Sequence, residues 1–112
     1  MIHNEAEIIR EKLSAIEGVR RVTRGWPRNF DLLPCIAVSK AADTPLDFRD
    51  DRERIAELEY YIRIFADRAQ EADVLTVLVD AVMEEMGYMR TFSYDDDDSE
   101  VRIAALRYRK FV

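Results

Sequence analysis

The stretch Glu57-Leu58-Glu59-Tyr60-Tyr61-Ile62-Arg63-Ile64-Phe65-Ala66 decides the fold, because it reads at two periods. At a period of two, Leu58, Tyr60, Ile62, Ile64 and Ala66 share one face, the pattern of a half-buried strand. At the helical period, Ile55, Leu58, Ile62, Phe65, Ala69 and Ala72 fit a heptad, and no Gly or Pro between Leu46 and Met86 interrupts one long helix. Two features favour the strand. Tyr60 to Phe65 is dense in aromatic and β-branched residues. Asp67 with Gln70 three residues on resembles a capping box, and a helix that starts afresh there needs a different element before it.

Outward from this strand, Leu75, Leu78, Val79, Val82 and Met86 form a helical stripe closed by Gly87, predicting a helix over roughly 68–86. Tyr88 to Tyr94 reads as a strand, Asp95 to Ser99 as a turn and Val101 to Phe111 as a last strand, with a β-bulge expected where its face pattern switches at Ala104-Ala105. On the N-terminal side, Ile2, Ala6, Ile9, Leu13 and Ile16 mark an amphipathic helix over roughly 3–17, capped by Gly18. Val19 to Arg24 reads as an edge strand and Cys35 to Lys40 as another strand. Ala41 to Arg54 is charged and without apolar period, so a long exposed loop is expected there. The order α-β-β-β-α-β-β predicts one α+β domain over residues 1–112: a mostly antiparallel sheet of four to five strands with both helices packed on it.

The totals limit the function. The formal net charge of -6 argues against a protein held to nucleic acid by phosphate contacts. A single cysteine, Cys35, allows no internal disulfide and suits the cytosol. The first residues lack the basic and apolar regions of a signal peptide, and no apolar run approaches a membrane span, so no membrane association is expected.

Residues for chemistry are scarce. His3 is the only histidine and is expected to be exposed at a frayed terminus; Cys35 is expected to be a buried structural thiol. Asp95 to Asp98 lacks the spacing and central glycine of a calcium loop and reads as a solvated turn. Gly18, Gly25 and Gly87 are isolated, so no phosphate-cradling loop is present. No catalytic residue, metal site or cofactor is therefore expected, and the protein is not read as an enzyme. Trp26, in Gly25-Trp26-Pro27, reads either as an interface anchor or as a cover for the open end of the core. Arg107, Arg109 and Lys110 form a cationic block that either is simply solvated or meets an acidic segment of a neighbouring copy.

The N-terminal amphipathic helix, Pro34-Cys35-Ile36-Ala37-Val38, the exposed segment holding Asp43, Glu59-Tyr60-Tyr61-Ile62-Arg63-Ile64-Phe65, the helix ending Met86-Gly87-Tyr88 and the closing strand Val101 to Tyr108 together resemble the tail terminator, or tail-to-head joining, proteins of long-tailed bacteriophages and prophages. The resemblance is one of pattern over nearly the whole chain. It implies a ring of identical subunits, typically six, that caps the tail-tube protein and offers a face to the head-tail connector. It also implies residence in the virion tail, and in the bacterial host cytoplasm during assembly. In such a ring the segment carrying Asp43, Asp47, Arg49, Asp50, Asp51, Arg52 and Glu53 would face the lumen, where DNA passes without specific binding. Trp26, Arg107, Arg109 and Lys110 would lie at subunit interfaces, with Val19–Arg24 and Arg102–Lys110 as the edges that meet. The alternative is a ligand-binding or regulatory domain of ferredoxin-like shape.

Overall fold

A computed structural model describes residues 2–49, 52–98 and 100–112, with backbone alone at 47–49 and 52–54. The elements follow the order α1 (Ala6–Ser14), β1 (Arg21–Arg24), β2 (Cys35–Arg49), β3 (Arg52–Ala66), α2 (Ala69–Glu85), β4 (Met89–Asp97) and β5 (Arg102–Phe111). The five strands form one sheet in the order β1-β2-β3-β5-β4. The deciding stretch is thus a strand, and its period-two reading holds: Ala56, Leu58, Tyr60, Ile62, Ile64 and Ala66 are all buried.

The sheet is mixed rather than the mostly antiparallel one expected. β1 runs parallel to β2, while β2–β3, β3–β5 and β5–β4 are antiparallel. The parallel pair exists because residues 25–34 carry the chain back to the starting end of β1 instead of turning it in a hairpin. β5 is inserted between β3 and β4, so it is an interior strand, and β4 is the edge opposite β1. The expectation that Arg102–Lys110 forms an edge is therefore corrected.

Both helices cover one face of the sheet. Ala6, Ile9 and Leu13 of α1 and Ala72, Leu75, Val79 and Met83 of α2 pack on Ile36, Val38, Leu58, Tyr60, Ile62, Ile64, Leu106 and Tyr108. Each such aliphatic side chain contributes roughly 1.5–3 kcal/mol by leaving water. Leu78, placed on this stripe from spacing alone, lies instead on the outer side of α2. A smaller cluster of Cys35, Ala37, Phe65, Val101 and Ile103 sits on the other face, beneath Phe30 and Leu33. Burial of both faces near Ala104-Ala105 accounts for the pattern switch there. Pairing of β5 with β3 runs unbroken through that point, and the irregularity lies in β4, between Arg90 and Phe92.

α2 ends as its sequence predicts. The N–H of Gly87 donates to Glu84 O at 2.9 Å and that of Tyr88 to Met83 O at 3.0 Å, with Gly87 at φ +90°. Its start differs: Arg68 is the N-cap, without a side-chain capping bond.

The expected loop over Ala41 to Arg54 is a continuation of β2 and β3. The two strands pair down to Arg49 and Arg52. β5 accompanies β3 only to Glu57, and Val112 exchanges two 2.9 Å backbone bonds with Ala56. Beyond that point the ribbon is two-stranded and projects by roughly 14 Å at ~3.4 Å per residue. The molecule is accordingly long and narrow, 51 × 25 × 23 Å.

Candidate functional site: an open sheet face and a projecting arm

The face of the sheet away from the helices carries a ladder of aromatic rings and guanidinium groups. Register places Ser39, Tyr61, Arg107 and Phe92 in one cross-strand row and Ala37, Arg63, Ala105 and Tyr94 in the next. Arg107 lies between Tyr61 and Phe92, its guanidinium carbon 5.4 and 5.8 Å from their ring centroids. Arg63 lies between Trp26 and Tyr61 at 5.5 and 4.8 Å. Phe92 stacks on Tyr94 with centroids 6.0 Å apart. Such contacts hold planar groups at fixed spacing, each worth on the order of 1 kcal/mol at a partly exposed site.

Carboxylates neutralise part of this face. Arg107 is ion-paired with Glu59, which holds the Glu59 carboxyl below its usual range and raises the Arg107 guanidinium above its own. Arg109 reaches Glu57 at 3.9 Å, the Phe111 ring at 5.7 Å and the Met89 sulfur at 3.9 Å. Arg63 has no carboxylate within ion-pair distance among the described residues.

The proposed cationic block is split by strand alternation. Arg107 and Arg109 stand on the open face, whereas Lys110 points to the helix side, where its ammonium lies 5.2 Å over the Tyr88 ring and 3.2 Å from Glu5 Oε1. Trp26 packs edge-on against Phe65 at 5.0 Å, yet remains 59% exposed.

Asp43 lies in β2 rather than in a loop. A register shift between Lys40 and Ala42 inserts Ala41, so Ala42 opposes Glu59 and Asp43 opposes Leu58 on the helix side. There Asp43 accepts the backbone N–H of His3 at 2.6 Å and a bond from Lys40 Nζ at 3.2 Å, and Lys40 also donates to His3 O. His3 is therefore a tethered residue, its ring Nδ1 3.3 Å from Asp43, rather than a frayed one. Donation from the His3 N–H lowers the Asp43 carboxyl to about 2 against the cost of burial, with the His3 ring and Lys40 adding to the effect. Next along, the Glu5 N–H donates to Tyr60 Oη at 2.9 Å, and Tyr88 Oη donates to Glu5 Oε1 at 2.7 Å. Burial, then the Glu5 carboxylate, raises the Tyr88 hydroxyl; burial, then Asp80, raises Tyr108, which donates to Asp80 at 2.8 Å.

Four of the remaining expected lumen residues lie on the arm. Asp47 and Arg49 are in the backbone of β2, Arg52 and Glu53 in that of β3, and Asp50 and Asp51 lie outside the described residues. On the same ribbon Leu46 and Ile55 are exposed. Asp95 to Asp97 belong to β4 rather than to a turn, and Asp97 pairs with Arg102 of the same chain at 3.4 Å.

Cys35 is fully buried, and burial raises its thiol although Arg21 partly opposes this. Among the described residues no group of three or more His, Cys, Asp or Glu side chains is arranged to hold a metal ion. No helix of the described residues is long and apolar enough to cross a membrane. What the arrangement offers is surface: an aromatic, arginine-rich sheet face, an outer helix layer and an unsupported arm. Neither protein-family models nor curated proteins match this chain.

Proposed function

We propose that this chain is a ring-forming subunit of a bacteriophage or prophage tail, one that caps the tail tube and joins it to the head connector. The observation that supports this best is the β2–β3 arm. Two-stranded ribbons are marginal on their own, and this one exposes Leu46 and Ile55. Such an arm is understandable if neighbouring chains surround it. In a ring it would point along or into the lumen and bring Asp47, Asp50, Asp51 and Glu53 toward the DNA path, with Arg49 and Arg52 reaching acids of the adjacent copy. Like charge on that path would limit sticking of DNA.

The ferredoxin-like alternative has no observation in its favour. That fold runs β-α-β-β-α-β, while this chain runs α-β-β-β-α-β-β.

The proposal is tested by adding the protein to polymerising tail-tube subunits and measuring tube lengths by electron microscopy. Capped tubes of restricted length are expected. A variant with residues 46–55 replaced by Asn-Gly should keep the far-ultraviolet dichroism of the body and lose the capping. Tube lengths unaffected by the full chain would overturn the assignment.

A further inference from the structure

α2 carries two apolar stripes. Ala72, Leu75, Val79 and Met83 are buried against the sheet. On the opposite side Val74, Val77 and Leu78 are 60%, 69% and 40% exposed, and Ala81 continues the same i, i+3, i+4, i+7 spacing. A helix that is apolar on both sides belongs between two layers, yet here it has one. The rim of the outer stripe is acidic. Residues 69–85 hold Glu71, Asp73, Asp80, Glu84 and Glu85 and neither Lys nor Arg.

The open sheet face is the counterpart. It exposes Trp26, Phe92, Tyr94 and Met89, and it carries Arg63, Arg107 and Arg109, of which Arg63 lacks an acidic partner among the described residues. Phe30 and Leu33 cover only the strip over Cys35, Ala37 and Phe65, and these rings lie outside it. The two surfaces lie on opposite sides of the same molecule and both expose apolar side chains; the helix carries acids and no Lys or Arg, while the sheet face pairs Arg107 and Arg109 with Glu59 and Glu57 and leaves Arg63 without an acidic partner among the described residues.

We infer that the outer Val74–Val77–Leu78 stripe of one copy docks on the aromatic–arginine face of the next copy, helix layer onto sheet. The contact is heterologous, so it passes from copy to copy rather than stopping at a dimer, giving a ring where the rotation between copies closes and a filament where it does not. The inference rests on the self-assembly part of the proposed function and not on the tail itself. Acids of α2 meet Arg63 and the outward sides of Arg107 and Arg109, and Val77 lies over the Tyr61–Phe92 row.

Two variants test it by sedimentation velocity, with circular dichroism and melting confirming that each is folded. Val74→Lys with Val77→Lys removes the helix surface and leaves the sheet face intact. Arg63→Glu with Phe92→Glu does the converse. The wild-type chain should self-associate, and each variant alone should associate at least tenfold more weakly. Mixed, the two variants retain one compatible junction and should form a 1:1 complex that grows no further. If both variants assemble like the wild type, assembly uses other surfaces: the inference fails while the ring proposal stands. If both are monomeric and their mixture gives no 1:1 complex, the docking is overturned. A wild-type chain that stays monomeric at all concentrations, alone and on tubes, overturns both.

Discussion

Asp43 illustrates how a single residue changes role between sequence and structure. As a charged residue in an apparently featureless segment it looks like part of a solvated loop. One bulge turns it to the helix side, where it ties down the N-terminal segment through His3 and Lys40. Its carboxyl lies at about 2 instead of the usual 3.8, a difference on the order of 2 kcal/mol in favour of the folded ionised form. Because the folded value is the lower one, this stabilisation is complete above about pH 4 and is lost as pH falls toward 2. Asp43→Asn should therefore lower stability at pH 7 by about 1–2 kcal/mol in urea titration, with the gap to wild type closing by pH 2. An equal gap at both pH values would show that the carboxylate is not the source. Tyr60 and Tyr108 make a related point: spacing places Tyr60 on the buried face, and both are buried, but the partners of their hydroxyls, the Glu5 N–H and the Asp80 carboxylate, lie 55 and 28 residues away and have no local signal.

Elements were legible in proportion to how one-sidedly they are buried. β3 alternates cleanly and α1 and α2 show helical stripes, so all three were found, with ends shifted by a few residues. At α1, His3 to Glu5 are held by Asp43 and Tyr60 instead of entering the helix. The arm was missed for a physical reason. Its sequence carries no apolar alternation for a periodic reading to detect, and Leu46 and Ile55 on it are exposed. β4 is legible over Tyr88 to Tyr94, but its acidic end, which reads as a turn, pairs with β5 although aspartate disfavours strands. Gly87, by contrast, was readable because the helix end imposes its backbone angle. A Cβ there would meet only Lys110 Cε at 3.7 Å, so Gly87→Ala costs through its φ of +90° and not through a clash. It should destabilise by about 1 kcal/mol, measured by thermal melting, without altering self-association.

The whole molecule is two layers where three would be closed, with an arm beyond them. Its outer helix is acidic and its open sheet face keeps Arg63 without an acidic partner among the described residues, so association through these faces should respond to salt. Raising ionic strength from about 0.1 M to about 1 M shortens the screening length from ~10 to ~3 Å. Self-association of the wild-type chain should weaken severalfold over that range by sedimentation equilibrium. Association strengthened by salt would indicate a contact that is apolar alone.

Periodicity and composition by themselves determined that this chain is α+β, that its elements come in the order α-β-β-β-α-β-β, and which face of β3 is buried. Those features follow from local preferences and from the matching of apolar spacing to 3.6 or 2 residues. Only the tertiary structure decided that the sheet is mixed, that β5 lies inside and β4 at the edge, that residues 41–54 extend two strands into an arm, and that Arg63, Arg107, Tyr61, Phe92 and Trp26 converge on one surface. Those are pairings between distant parts of the chain. Their energy arises between residues that no local pattern brings together.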